Sequence, residues 1–185
     1  MISASNSRMN SQESSHRERL YESFVGQNSA YYILKWDSMQ DRWRSWNWSA
    51  FFFGEGWLLY RKMYGYAVLY SILRLFITPI FNSIILFHEG HLYDLLPLLM
   101  PHSIILNILL GIIGNHLYKI QADKKIAAAQ ASYKPEQVLL GLQNKGGVSI
   151  GALLLIPVLS MVEHFILFMF NNHFIVNWTQ YYETI

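Results

Sequence analysis

Three stretches of the chain stay apolar for longer than one buried face of a soluble helix requires: Tyr66–Phe87, Leu95–Tyr118 and Val148–Phe170. Crossing a bilayer takes about 20 residues at roughly 1.5 Å each, and each stretch is that long. Isolated polar residues are the only interruptions. Charged or glycine-containing segments bound them: Arg61-Lys62, the hairpin His88–Asp94 and a lysine-bearing loop before Val148. Helices of a soluble bundle would need polar outer faces, which these lack. The pattern predicts an all-α integral membrane protein with three transmembrane helices, 66–87, 95–118 and 148–170.

Upstream the pattern changes twice. Residues 1–20 hold six serines and few apolar side chains, too little to offset the entropy of ordering, and are expected to form a disordered tail. They contain no apolar run of the kind a signal peptide needs. Residues 21–185 are read as a single membrane domain. Within it, Trp46–Tyr60 is rich in Trp and Phe but too short to cross unaided, and it precedes the first span directly. It is expected to be an interfacial or shallow re-entrant helix (46–60). Trp46, Trp48 and Trp57 would sit at headgroup depth, Arg61 and Lys62 would meet anionic lipid headgroups, and Gly54-Glu55-Gly56 would break or bend the helix. The alternative for Glu55 is a plain solvent-facing carboxylate.

Composition agrees with lipid as solvent: the chain is 52% hydrophobic and only 14% charged, against roughly 25% charged in ordinary soluble domains. Cysteine is absent, which excludes disulfides, thiolate metal ligands and a cysteine nucleophile. A formal net charge of +2 is too mild to imply nucleic acid, and the loop Lys119–Lys145 has few aromatics for base stacking. Where the charge lies is more informative. Eight Arg or Lys precede the first span and five lie between the second and third, whereas the first hairpin and the tail after Phe170 have none. Since basic residues stay cytoplasmic, the N-terminus is expected inside and the C-terminus outside.

Polar residues inside the spans recur at helical spacing: Ser71, Arg74, Thr78 and Asn82 in the first, Ser103, Asn107, Gly111 and Asn115 in the second. Both stripes are expected to turn inward against the third span. Counting depth at about 1.5 Å per residue sets Arg74 beside Asn107, with Asn82, His102 and Glu163 in a layer further out. Arg74 is therefore expected to pair with Asn107, with Glu163 the second candidate; the alternative is snorkelling to the inner surface. Pro79, Pro97, Pro101 and Pro157 are expected to kink the spans. Beyond the second span, Lys119–Ser132 reads as a helical extension ended by Pro135. A short amphipathic helix would follow, carrying Val138, Leu139 and Leu142.

Outer-side histidines are the main candidates for chemistry. His88, His91, His102 and His164, with Glu163, have the nitrogen and oxygen donors that zinc accepts, but His88-Glu89-Gly90-His91 lacks the i, i+4 histidine spacing of a zinc protease. No phosphate-binding loop or nucleophile elbow is present, and the sequence implies no cofactor.

Particular residues resemble a known family. Asn47-Trp48-Ser49-Ala50-Phe51 followed by Trp57-Leu58-Leu59-Tyr60-Arg61-Lys62-Met63-Tyr64 is similar to the aromatic segment of the family numbered 2628 among the domains of unknown function. Phe24-Val25-Gly26-Gln27-Asn28, Tyr31-Tyr32, Gly114-Asn115-His116-Leu117-Tyr118 and Gly146-Gly147 are similar too. The chain departs from the family at Glu55, where a proline is expected. The resemblance implies a bacterial inner-membrane protein and carries no known activity.

The reading these features favour is a non-enzymatic adaptor or accessory subunit, bound to a protein partner or to further copies of itself, because most polar sequence faces the cytoplasm. The alternative is a component of a small oligomeric transporter or channel lined by Arg74 and Glu163. A further alternative is a membrane enzyme or metal-handling protein using the outer histidines.

The charge distribution generates a topology test. A reporter active only outside the cytoplasm is expected to work when fused after Ile185 and to fail when inserted within Lys124–Lys134; a cytoplasmic C-terminus would overturn the orientation.

Overall fold

The computed structural model describes residues 2–39, 44–86 and 104–182, and the side chains of 11–39, 44–79 and 104–169. Among the described residues the fold is all helical, with no strand. In chain order the helices are α1 (Ile2–Val25), α2 (Ser29–Asp37), α3 (Trp48–Phe53), α4 (Glu55–Tyr60), α5 (Tyr64–Leu86), α6 (Ile104–Ser132), α7 (Val138–Lys145) and α8 (Leu155–Tyr182). Single 3-10 turns at Pro135–Gln137 and Gly151–Leu154 lead into α7 and α8.

Two helices among the described residues are long and apolar enough to cross a membrane, Ile104–Ser132 and the segment Gly151–Met169. Only 11% of the second is buried within the chain, leaving Leu154, Val158, Met161, Phe165 and Phe168 on the surface. A core helix of a soluble protein would bury such a face. The remaining expected span is helical as α5, which continues through Pro79. Pro157 is not in the helix interior. It sits in the first turn of α8, where the missing N–H costs nothing. Pro97 and Pro101 lie outside the described residues.

Helix α6 is the spine. Its buried residues, Leu106, Leu110, Gly111, Gly114, Asn115, Tyr118, Ala122, Ile126 and Ala129, recur at three- and four-residue intervals and form one stripe from the apolar end to the polar end. The small residues of that stripe admit α3 closely: a Cβ on Gly111 would lie 3.1 Å from Phe51, and one on Gly114 3.1 Å from the Ala50 Cβ. Further along, α1, α2 and α7 pack on the same helix.

Residues 1–20 differ from the expected disordered tail, because α1 runs from Ile2 to Val25. Its C-terminal end supplies the reason. Leu20, Phe24 and Val25 are buried in the core, and an anchored turn lets helix propagate upstream at little cost per residue.

The aromatic segment also differs from a single interfacial helix: it is two short helices folded into the body. Asn47 caps α3 by accepting from the Ala50 N–H at 2.9 Å. The chain breaks at Gly54, whose φ of 48° and ψ of −120° exclude side-chained residues. Helix α4 then ends in a Schellman motif, with Lys62 N–H donating to Leu59 O and Met63 N–H to Leu58 O. Lys62 holds the left-handed position at φ 57°, and the accompanying apolar contact is between the buried Leu58 and Met63.

Backbone crossings tie the N-terminal and C-terminal halves, and one of them is close-packed. Gly147 N–H donates to Phe24 O at 2.7 Å, and a Cβ on Gly146 would land on that same carbonyl. Gly146→Ala is therefore expected to destabilise the fold by about 1–3 kcal/mol, read as a lowered melting temperature in detergent. An unchanged melting point would contradict this packing.

Candidate functional site

Among the described residues, burial of charge singles out two places, each organised around an arginine. The first is Arg74 on α5. Its guanidinium forms an ion pair with Glu163 of α8 and lies 3.7 Å from the Glu55 carboxylate at the start of α4. Both carboxylates are only 5% exposed. Glu55 also accepts from the Ser71 hydroxyl, one turn before Arg74, and Thr78 Oγ1 donates to the Arg74 carbonyl at 2.8 Å. The consecutive helices α4 and α5 and the distant α8 thus converge on one cation. The Arg74 Nε is buried without a partner among the described residues. In formal charge the cluster holds two carboxylates against one guanidinium.

Asn107 is not the partner of Arg74. It accepts from the Tyr70 hydroxyl at 2.5 Å, and its Oδ1 occupies the space a side chain on residue 54 would need. The polar stripe of α6 therefore turns toward α3 instead of α8, because Gly111 and Gly114 leave room for α3 there. Asn115 completes this arrangement. Fully buried, it accepts from Asn47 Nδ2 at 2.8 Å and donates to the Ser45 carbonyl and hydroxyl, both at 3.3 Å.

The second place is Arg61, at the end of α4. It was expected among lipid headgroups with Trp57, but both are interior: Arg61 is 4% exposed and Trp57 3%. The guanidinium lies 4.5 Å from the ring centre of Tyr32, 5.3 Å from Tyr118 and 5.6 Å from Tyr60. Its one hydrogen bond among the described residues is a long 3.5 Å contact with Gln27 O, and its Nε has no partner there. Tyr118 is the hub, with Phe24, Tyr32, Trp36 and Trp57 all within 6.2 Å of its ring centre. Ring faces attract a cation but replace hydrogen bonds poorly. Lys62 donates its ammonium to Gly146 O, so it too serves the fold.

Of the other expected lipid contacts, Trp46 is half-buried against Gly111, and Trp48 is exposed together with Phe52 and Phe53. His164 is exposed, its Nδ1 2.7 Å from the Ser160 carbonyl. The side chain of Asn82 and all of His88, His91 and His102 lie outside the described residues. Among the described residues no group of three or more His, Cys, Asp or Glu converges to hold a metal. On the polar end, burial first and then a 2.6 Å hydrogen bond to Asp123 push the Tyr21 phenol above its ordinary value.

Glu55 is the functional candidate that sequence reasoning left undecided. The signal was its position: a lone carboxylate between two glycines inside an apolar segment, at the height where the following helix carries an arginine.

Residues 12–124 match the family described as "Protein of unknown function (DUF2628)", more than half of the chain, and the protein belongs to that family. No curated protein and no solved structure matches it. Glu55, Arg61 and Arg74 lie within the matched segment, and Glu163 lies beyond it.

The Arg74 cluster generates a double-mutant test. Arg74→Leu leaves two buried carboxylates uncompensated and is expected to cost about 3–5 kcal/mol, seen as lost folded yield or a lowered melting temperature in detergent. Arg74→Leu combined with Glu163→Leu is expected to recover much of that loss. Additive losses would show that the two side chains do not depend on each other.

Proposed function

We propose that this DUF2628 protein is a three-span protein of the bacterial inner membrane, N-terminus inside and C-terminus outside, that acts as a non-enzymatic adaptor or accessory subunit. The observation that carries this reading is the continuity of α6. One helix runs from apolar Ile104, through Tyr118, to the polar segment ending at Ser132, and α1 and α7 pack on its polar end. Spans and polar body are thus one piece, so a partner docked on the body is held at a fixed height and angle over the membrane. The exposed apolar face of α8 suits lipid or a partner's transmembrane helix.

The excess carboxylate around Arg74 favours a second reading, a subunit of an oligomeric transporter or channel. Buried ionisable groups in a membrane commonly mark ion or proton routes. The break at Gly54 beside Glu55 also matches the use of discontinuous helices at such sites.

Purification in mild detergent, with mass spectrometry of what co-purifies, separates the two. An adaptor is expected to bring down a different protein in fixed ratio, lost on reversing the charges of Lys124 and Lys125 and retained in Glu55→Gln. A homo-oligomer that moves protons or cations across liposomes, and stops in Glu55→Gln, would replace the adaptor reading with the second.

A further inference from the structure

The cleft above Arg61 is unused by either reading. It encloses about 640 Å³, and its walls include Asn28, Tyr31, Tyr32, Trp57, Tyr60 and Arg61. Ser49 and Phe53 of α3, Leu153 of the 3-10 turn and Ile156 of α8 complete the lining. Arg61 makes no ion pair with a carboxylate among the described residues, unlike Arg74. A guanidinium carries five donors, and a buried cation without an anion is costly. The N-terminus of α2 opens on the same cleft at Asn28, which caps the helix without a side-chain hydrogen bond. That end of a helix carries partial positive charge and attracts anions.

We infer that this cleft binds the phosphate of a single anionic phospholipid, with Arg61 as the charged anchor. The inference rests on the membrane reading proposed above. Three features select this ligand. The charge requirement is for one anion, which a phosphate diester meets, and its paired oxygens suit the guanidinium fork. Tyr31 and Tyr60 in the lining carry hydroxyls of the kind a glycerol or sugar headgroup would use. Phe53, Leu153 and Ile156 continue the cleft into the exposed apolar surface, where acyl chains would lie. A free phosphate uses the first feature but gains nothing from the third.

The test uses the full chain in detergent and in vesicles, with phosphatidylglycerol as probe and phosphatidylcholine as control. Native mass spectrometry is expected to show phosphatidylglycerol retained about tenfold better than phosphatidylcholine. Arg61→Gln should abolish the preference. Because Arg61 is buried and its loss could unfold the protein, Ser49→Trp provides a second variant: an exposed position on α3 whose indole would fill the cleft. It is expected to keep the wild-type melting temperature and lose the preference. Equal retention of both lipids, or a preference unchanged in Ser49→Trp, would overturn the assignment. So would displacement of phosphatidylglycerol by millimolar inorganic phosphate, which would identify a soluble anion as the ligand. Release of the chain from vesicles by alkaline carbonate would remove the membrane reading and this site together. Firm retention without lipid preference would remove the site alone.

Discussion

The arrangement depends on one buried hydrogen bond, from Asn47 on the approach to α3 to Asn115 in the middle of α6. Neither amide reaches solvent, so removing one strands the other at a cost of about 1–3 kcal/mol. The pair does more than satisfy itself. Asn47 N–H also donates to Gly111 O at 2.7 Å, so backbone and side chain fix α3 against α6 in one register. With α3 fixed, the break at Gly54 falls beside Asn107, α4 begins at Glu55, and the turn at Lys62 directs the chain into α5. The positions of the buried Arg61 and the partly buried Arg74 follow from that sequence of constraints.

Those two arginines show different solutions to burying a guanidinium. Arg74 has carboxylates on two sides, an arrangement in which Coulomb attraction offsets desolvation. Arg61 has tyrosine faces and a distant carbonyl, which stabilise a cation less and leave its hydrogen-bonding capacity open. The first is a closed structural joint that also holds spare negative charge. The second leaves guanidinium donors unsatisfied among the described residues, which is the feature the proposed lipid site would use.

Helices with a strong single-residue period were legible in advance. The extension of α6 to Ser132, the stop near Pro135 and the short helix bearing Val138 and Leu142 needed only local signals. The partners of polar residues were not legible. Depth counting gives height along a helix and says nothing of which face a neighbour occupies, so it set Asn107 beside Arg74 and Glu163 further out, although Glu163 is the residue that pairs. The aromatic segment misled for a related reason. Ring-rich sequence beside basic residues suits a lipid interface and an aromatic core equally, and choosing between them for Trp57 and Arg61 requires knowing that Tyr32 and Tyr118 arrive from elsewhere. Likewise the tail's low hydrophobicity correctly describes residues without a core of their own, but not that Phe24 and Val25 would lend them one.

Synthesis from the N-terminus gives the charged joint a temporal order. Glu55 is made before Arg74, and Glu163 comes last of the three. When α5 has been made, its arginine already has a carboxylate available from α4, while α8 is still to be synthesised. Under the membrane reading proposed above, Glu55 would serve as an interim counter-charge that lowers the barrier to placing a guanidinium in lipid. Arrival of Glu163 then converts a provisional pair into the finished three-helix joint.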